Sequence, residues 1–300
     1  MNSIAKFTFF LWISLFYNCT PAESQNSYVL SNESKNYWFD GKAEITSYTL
    51  LQSRYGQARE GEAVLVFVSE DFRKDKQVKY EGGDRKNVVP VLKLNKTKKF
   101  LTGIYPYSIM TSCFTPIDGS QSIKTTTSIQ EWCGHTFTQL NRDKKGYKGK
   151  MFSYFQNEGD EEFTVKCDLI EDEIWAKLRL NPNNLTEGEY IILPGSEFLR
   201  LKHLPSLPSP AQVNINNVTN ENEGESNLKE YTISYKDVDR KLIISLESEF
   251  PYAIVKWVET DAKGSPMNTT IATKKASIKS PYWSKNRNSD RELRKELGLK

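Results

Sequence analysis

The chain has 300 residues, of which 38% are hydrophobic and 12% aromatic, and its formal net charge is +3. This length allows one large domain or two small ones, and the composition is that of a globular chain with ample aromatic material for a core. The small charge is spread along the sequence, so we expect no nucleic-acid partner.

The first residues form the pattern of an export signal. A polar stretch with one cation, 1–6, precedes the almost wholly apolar run 7–17, which is too short to span a bilayer comfortably. Cys19 follows directly after Asn18, and the polar residues beyond it show no hydrophobic periodicity. We therefore predict a signal peptide over 1–18 and a polar tether over 19–36.

This pattern resembles a bacterial lipoprotein signal, in which the cysteine becomes the first residue and carries the lipid. The resemblance implies lipidation of Cys19, attachment to a membrane and a location in the bacterial cell envelope, periplasmic or surface-facing. The sequence departs from the usual pattern at Tyr17 and Asn18, where small residues normally precede the cysteine. The alternatives are a secretory signal cut near Ala22, with Cys19 lost, and an uncleaved anchor.

Beyond the tether, strand-like segments follow one another. Short apolar or alternating runs that are rich in β-branched and aromatic residues and bounded by turn residues are typical of strands. Such runs lie at 41–50, 62–68, 88–94, 124–140, 147–156, 163–169, 189–193, 198–204, 229–235, 241–247, 253–260 and 268–279, while the run 100–114 is apolar and aromatic but not cleanly periodic. Pro90 within one run indicates an edge position or a bulge. Residues 37–280 therefore predict a mainly β domain, which is an antiparallel barrel, half-barrel or sandwich with a few short helices.

Two other segments predict helices. Residues 168–180 place Ile170, Ile174 and Leu178 on one helical face, and the segment includes an acidic cluster at 171–173. The basic tail 281–300 contains a short helix, with an N-cap at Ser289, a capping box to Glu292 and a stop at Gly298. This tail either contacts anionic lipid headgroups or is a solvated helix.

One stretch interrupts the strand pattern. Residues 205–210 contain three prolines, which cannot donate to a sheet ladder, and the run 214–227 is dense in Asn, Glu, Gly and Ser. The region 205–227 therefore marks either a break between two sub-domains or one long loop of a single sheet.

The most reactive-looking local cluster is the run 130–135, Gln-Glu-Trp-Cys-Gly-His. If this run is a strand, Glu131, Cys133 and His135 share one face and supply the residue types of an activated thiolate. Side chains two residues apart on a strand stand about 6.5–7 Å apart, however, and a thiol and an imidazole need about 3 Å. The alternative is a structural patch, in which Cys133 is a small buried hydrophobe and Trp132 a buried aromatic.

Binding residues and cross-links are less specific. Trp132, Tyr105 and Tyr107 are candidates for an aromatic lining that binds an apolar ligand. Among the cysteines, a disulfide between Cys113 and Cys133 is plausible in an oxidising envelope, and an odd number remains if Cys19 carries lipid. We expect no metal site and no cofactor, because the sequence has two distant histidines and no CxxC, HExxH or phosphate-loop motif.

Several stretches are similar to a family of bacterial envelope lipoproteins whose members often carry the label "septum formation inhibitor Maf". They are 37–45 (YWFDGKAEI), 55–65 (YGQAREGEAVL), 102–108 (TGIYPYS) and 130–135 (QEWCGH), and the similarity runs from 37 to about 279. Nothing here matches the Ser-x-Ser-Pro-Arg-Arg signature of the cytoplasmic Maf pyrophosphatases. The resemblance therefore implies a lipoprotein of the envelope but no particular activity. A shorter similarity, at 250–257, is to periplasmic half-barrel proteins that handle lipids.

Two classes of function follow from these observations. The first is a non-catalytic envelope protein that binds an apolar ligand or a protein partner. The second is an envelope enzyme, a thiol-dependent hydrolase or transferase that uses Glu131, Cys133 and His135. The first class fits the strand-rich pattern and the missing catalytic motifs, whereas the second depends on one hexapeptide.

Replacing Cys19 by Ala should release the protein from membranes, because the acyl chains hold it there. Each buried methylene contributes about 0.8 kcal/mol, so two or three acyl chains give stable anchoring. Metabolic labelling with a palmitate analogue should mark the wild-type protein and not Cys19→Ala. An unlabelled wild-type protein whose N-terminus lies beyond Cys19 would contradict lipidation.

Overall fold

The structure, a computed structural model, describes residues 28–220 and 226–299. Within these residues it is mainly β, as predicted, and sixteen strands form one sheet. The strands are β1 (Ala43–Arg54), β2 (Gln57–Arg73), β3 (Val78–Lys79), β4 (Val88–Thr102), β5 (Tyr105–Pro116), β6 (Lys124–Glu131), β7 (Gly134–Asp143), β8 (Gly146–Ser153), β9 (Glu161–Val165), β10 (Leu169–Ile170), β11 (Gly188–Leu193), β12 (Ser209–Asn220), β13 (Ser226–Tyr235), β14 (Lys241–Glu247), β15 (Ile254–Thr260) and β16 (Thr270–Ser280).

The helices of the described residues are short. They are α1 (Asn32–Trp38), α2 (Glu171–Leu180), α3 (Ser196–Leu201) and α4 (Glu292–Glu296), with 3-10 turns at Pro182–Asn184, Pro266–Asn268, Tyr282–Ser284 and Asn288–Arg291. None of these helices is long and apolar enough to cross a lipid bilayer.

Most neighbouring strands of the sheet are also consecutive in the chain. The order runs from β10 through β16, continues with β1 and β2, and then follows β4 to β9, while β3 pairs with β2 alone. Only the short pair β10 and β11 is parallel among the described strands. The pairing of β1 with β16, from Ala43↔Ser280 onward, joins the two ends of the domain. Hairpins therefore build two halves, and one long-range pairing connects them.

The inner face of the sheet surrounds α2. All ten residues of this helix are buried, which requires protein on every side of it. Trp175 of α2 packs edge-on against Trp257 of β15, with ring centroids 5.3 Å apart, and Tyr48 of β1 packs against the same Trp257 ring at 4.7 Å. Because β9 and β10 stand at the two ends of the strand order and the sheet is not closed, the predicted half-barrel describes it best.

Two charged residues of α2 form buried ion pairs. Arg240 donates to Glu171 through Nε at 2.7 Å and Nη2 at 2.5 Å, and Arg179 donates to Glu44 Oε2 through Nη2 at 2.6 Å. Burial alone raises the pKa of each carboxyl group, but the neighbouring guanidinium holds the pKa of Glu171 and of Glu44 below its ordinary value. Tyr37 also donates its hydroxyl to Glu44. The ion pairs attach both ends of α2 to distant strands.

The other charged residues of α2 bind backbone and hydroxyl groups. Lys177 Nζ donates to the Gly119 carbonyl at 2.6 Å, and Glu173 Oε2 accepts from the Ser122 amide at 2.5 Å. Asp172 Oδ2 accepts from the amide and hydroxyl of Ser196, at 3.2 and 2.8 Å. Burial raises the pKa of Asp172, which has no guanidinium beside it comparable to that of Arg240 beside Glu171. The acidic cluster at 171–173 is therefore buried and has partners inside the protein.

The C-terminal segment covers the outer face of the sheet. Leu297 packs against Ala43, Ile45 and Val68, so the tail docks on β1 and β2. The expected capping box from Ser289 to Glu292 is not formed; instead, Asp290 accepts from the Arg287 amide at 2.9 Å and α4 begins at Glu292. The stop at Gly298, with φ of +60°, is confirmed.

Three other expectations change at the level of elements. The strand expected at 198–204 is wrong, because residues 196–201 form the buried helix α3. The single strand expected at 124–140 is two strands, β6 and β7. Pro90 lies in β4, which is an interior strand, but the ladder to β5 ends at its neighbour Val91.

The proline-rich stretch does not interrupt the sheet. β11 precedes it and β12 follows it, and the two strands pair with each other. Much of the run 214–227 belongs to the hairpin of β12 and β13, with Asn217 opposite Lys229. The arrangement agrees with the single-sheet alternative for this region.

Candidate functional site

The turns at one end of the sheet carry exposed aromatic and aliphatic residues. Turns alternate between the two ends of an antiparallel sheet, so those that follow β1, β4, β6 and β8 share one end. Ile104 in the second of these turns is 80% exposed, Trp132 in the third 67%, and Tyr154 after β8 69%. Exposed residues of this size concentrated in one place typically mark an interaction site.

Four of the aromatic side chains at this end form one cluster, which we call the aromatic rim: Tyr55, Tyr105, Tyr107 and Trp132. The ring of Tyr105 lies between those of Tyr107 and Trp132, with centroids 5.9 and 6.4 Å away. The Tyr55 and Tyr107 hydroxyl oxygens are 3.0 Å apart. The structure thus brings together the three residues that the sequence indicated for ligand binding, Tyr105, Tyr107 and Trp132, and adds Tyr55.

The base of the aromatic rim is rigid. Tyr107 is buried and stacks on Phe100, with ring centroids 4.8 Å apart and planes 6° from parallel. Arg54 donates through Nη2 to the Tyr55 and Tyr107 hydroxyls, each at 3.2 Å, and its guanidinium lies 4.3 Å from the Tyr55 ring centroid. Its Nη1 donates to the carbonyl of Leu201, the last residue of α3, at 2.5 Å. Hydrogen bonds and stacking therefore set the positions of the rings before any ligand arrives.

A second polar cluster lies beside the rim, at the end of α3. Arg200 is 7% exposed, its Nε lies 3.4 Å from Glu158 Oε2, and its guanidinium lies over the Phe155 ring at 4.2 Å. His203 Nδ1 contacts Glu158 Oε1 in the same cluster. Burial lowers the pKa of Arg200, and the charge of Arg54 lowers it further, while Glu158 opposes both effects. The cluster fastens the loop after β8 to α3.

The hexapeptide 130–135 is a tight hairpin and not one strand. β6 ends at Glu131, β7 begins at Gly134, and Trp132 and Cys133 form the turn between them. A Cβ at Gly134 would lie 2.7 Å from the Tyr154 ring, so the turn requires glycine there. The chain reversal changes which side chains share a face.

In this hairpin, Glu131 and His135 lie on opposite faces. Residues paired across two antiparallel strands share a face, and the register pairs Glu131 with Gly134 and Gln130 with His135. Adjacent residues of a strand point to opposite faces, so Glu131 points away from Gln130. His135 shares the face of Gln130 and therefore lies on the face opposite to Glu131. The prediction that Glu131, Cys133 and His135 point the same way is therefore wrong.

Cys133 is exposed and poorly suited to act as a nucleophile. Its backbone amide donates to Glu131 Oε2 at 2.7 Å, which closes the turn. The hydrogen bond with Glu131 and the negative charge of that carboxylate raise the pKa of the Cys133 thiol. A raised pKa leaves less thiolate at neutral pH, the opposite of what nucleophilic catalysis requires.

The expected disulfide between Cys113 and Cys133 is not formed. Cys113, Cys133 and Cys167 are all free, and Cys113 is buried in β5 opposite Thr125. From the pair Cys113↔Thr125, the pair Ser108↔Gln130 lies five positions further towards the turn that contains Cys133. Five positions of strand span about 16 Å, so the two cysteines are at least that far apart. This distance excludes a bond without unfolding.

The aromatic rim could have been predicted more fully from the sequence. Tyr55 and Arg54 were missed, although Tyr55 stands directly before Gly56 in the connection between the strands predicted at 41–50 and 62–68. Recognising the turns at Ile104 and Trp132 as well would have placed Tyr55, Ile104 and Trp132 at one end of the sheet. The contacts of α3 with Arg54 carry no local sequence signal. Cys19 lies outside the described residues.

Comparison of the chain with protein-family models, with curated proteins and with solved structures found no match. Conclusions about function therefore depend on the chain's own geometry and chemistry.

Because Trp132 is exposed, Trp132→Ala should lower the free energy of unfolding by less than about 1 kcal/mol, whereas the buried position expected from the sequence implies roughly 3–5 kcal/mol. The matched control is Trp257→Ala, at a fully buried tryptophan, which should show the larger loss.

Cys133→Ser and His135→Gln should leave stability and cellular complementation unchanged. Denaturant unfolding measures the stability of each variant, and a complementation assay measures its cellular function. Equal losses for the two tryptophans, or a folded but inactive Cys133→Ser protein, would contradict this assignment.

Proposed function

We propose that the chain is a non-catalytic binding protein of the bacterial cell envelope, held at a membrane by lipid on Cys19, which binds an apolar ligand at the aromatic rim. The observation that carries this proposal is the cluster of Tyr55, Tyr105, Tyr107 and Trp132 around Arg54. The resemblance to envelope lipoproteins supports the location and the lipid anchor of this proposal, and the rim supports the binding.

The chemistry of the rim supports binding. Tyrosine and tryptophan offer large apolar faces with a polar tip and lose little conformational entropy on contact, which is why binding sites are rich in them. Hydrogen bonds and the stack on Phe100 already order the Tyr107 ring. A pre-organised surface spends less free energy on ordering when a ligand binds. The exposed Ile104 and Tyr154 extend the apolar surface around the cluster.

The path of the chain supports an orientation for this proposal. The Tyr28 amide donates to the Asp118 carbonyl at 2.9 Å, just beyond the end of β5, whereas Ile104 precedes the start of β5. Twelve residues of strand separate the two positions, about 40 Å at 3.3 Å per residue. The rim therefore lies at the end of the sheet away from Tyr28, and with the anchoring lipid on the side of Tyr28 the rim faces the aqueous space rather than the membrane.

An enzyme of the thiol-dependent class finds less support. Glu131 and His135 diverge, and the thiol of Cys133 has a raised pKa. A base within hydrogen-bond reach of the nucleophile is the first requirement for such chemistry.

Binding can be tested with Nile red, a neutral apolar dye whose fluorescence rises when it leaves water. The titration uses the full-length chain carrying Cys19→Ala, so that no acyl chain attached to the protein can compete with the dye for the rim. Trp132→Ala should weaken dye binding about tenfold, which corresponds to the loss of about 1.4 kcal/mol of aromatic contact.

The matched control is Trp283→Ala. Trp283 is also exposed, at 52%, and also stands beside a tyrosine, Tyr282, but it lies in the C-terminal segment. Its replacement should leave the dye affinity unchanged. Equal effects of the two replacements, or none of either, would contradict the rim as the site. If the rim does not bind the dye, but a cross-linker placed at position 104 captures one envelope protein, the rim binds a protein partner and not an apolar ligand.

A further inference from the structure

Beside the aromatic rim, the structure has a cleft of about 380 Å³, near the lower end of the range for small-molecule sites. One wall is the end of β1, from Gln52 to Tyr55, and another is α3 with Leu204. The turn after β13 and the end of β15 complete it. Tyr55 belongs to both features, because it lines the cleft and touches Tyr107 of the rim. The cleft and the rim are therefore continuous.

Two of the residues that line this cleft each have a buried polar atom without a hydrogen bond in the described part of the chain. Gln52 is 4% exposed, and its Nε2 donates to Thr270 Oγ1 at 2.9 Å, but its Oε1 is buried and accepts from nothing in the described part of the chain. The Nε of Arg54 is likewise buried and donates to none of the described residues. Buried polar atoms are nearly always satisfied in native proteins, so each such exception requires an explanation.

The two atoms require different hydrogen-bond partners. Gln52 Oε1 needs a donor, and Arg54 Nε needs an acceptor. The two residues are two apart on β1 and share its inner face, about 6.5–7 Å from each other along the strand. Neighbouring hydroxyl groups on one sugar ring can donate to the first atom and accept from the second.

The charges around the cleft disfavour an ionic ligand. Among the residues that line it, Glu259 is neutralised by Lys98 at 2.5 Å and Arg240 at 3.3 Å. The lining also contains three aspartates, Asp237, Asp239 and Asp261, and two further cations, Arg54 and Lys202.

A carboxylate or a fully ionised phosphate would meet the three aspartates and could not donate to Gln52. An ammonium ion would meet Arg54 and Lys202, and it could not accept from Arg54 Nε. A neutral group that both donates and accepts hydrogen bonds avoids both conflicts.

We infer that the cleft binds the hydroxylated, sugar-like head group of an amphiphile whose apolar part lies on the aromatic rim. This inference rests on the proposed function of the rim and adds the chemical class of the ligand. Gln52 and Arg54 hold the hydroxyl groups, Tyr55 stands at the junction of head and tail, and Trp132 contacts the tail.

The test compares head groups on one chain length. Octyl glucoside, octyl phosphate and octylammonium, each below its critical micelle concentration, displace Nile red from the full-length chain carrying Cys19→Ala. Octyl glucoside should bind at least tenfold more tightly than either ion. This ranking is measured without altering the cleft, so it stands even if a cleft variant fails to fold.

Variants then assign the head group to the cleft. Gln52→Met, which keeps the length of the side chain and removes its amide, should weaken octyl glucoside about tenfold and leave octyl phosphate unchanged. The matched control is Gln212→Met, since Gln212 also donates to the carbonyl of the next residue, at 3.0 Å, but lies in β12. It should change neither affinity.

Each outcome separates the inference from the proposed function. If octyl phosphate or octylammonium binds as tightly as octyl glucoside, or if Gln52→Met behaves like Gln212→Met, the inference is wrong. If, in such a case, all three amphiphiles bind Trp132→Ala more weakly than the protein with Trp132, the rim binds apolar tails and the proposed function survives. If Trp132→Ala changes no affinity, the proposed function fails.

Discussion

Helix α2 carries five ionisable side chains into the interior of the sheet, and each must find a partner there. An unpaired charge inside a protein costs several kcal/mol, so these side chains restrict what can surround the helix more than its apolar residues do. Glu171 takes its partner from the turn before β14, and Arg179 takes its partner, Glu44, from the second residue of β1. Lys177 and Glu173 bind the loop after β5. The helix thereby positions both halves of the sheet.

This arrangement also determines where the surface remains free. α3 packs on the N-terminal end of α2 through Asp172 and Ser196, and Arg54 holds the last carbonyl of α3. The turns after β4 and β6 extend past this contact, and Ile104 and Trp132 therefore stay exposed. Residues on loops held by a rigid scaffold are the usual place for binding, and here the scaffold is the filled half-barrel. The proposed site depends on the buried ion pairs, since Arg240, the partner of Glu171 on α2, also lines the cleft beside the rim.

Much of the strand pattern could be predicted, because side chains alternate between a buried inner and a more exposed outer face. In β4 this alternation runs from Leu92 to Thr102. The turn at Trp132 and Cys133 was missed, since alternation on both sides of it continues through the reversal and only Gly134 signals it. The acidic residues 171–173 look solvated in the sequence because their partners lie elsewhere: Ser122 is 51 residues from Glu173, and Arg240 is 69 from Glu171. Tyr105, Tyr107 and Trp132 were predicted as binding residues because aromatic residues are conspicuous in the sequence, whereas Arg54 required the position of α3.

A double-mutant cycle on Glu44 and Arg179 tests most directly whether buried charge pairing holds the sheet around α2. The free energy of unfolding in denaturant is measured for the full-length chain carrying Cys19→Ala and for its Glu44→Leu, Arg179→Met and doubly substituted variants. Each single replacement leaves the other charge buried and unpaired, so each should lower stability by about 3–5 kcal/mol. The double variant should lose much less than the sum of the two. Single losses below about 1 kcal/mol, or losses that simply add, would contradict the account.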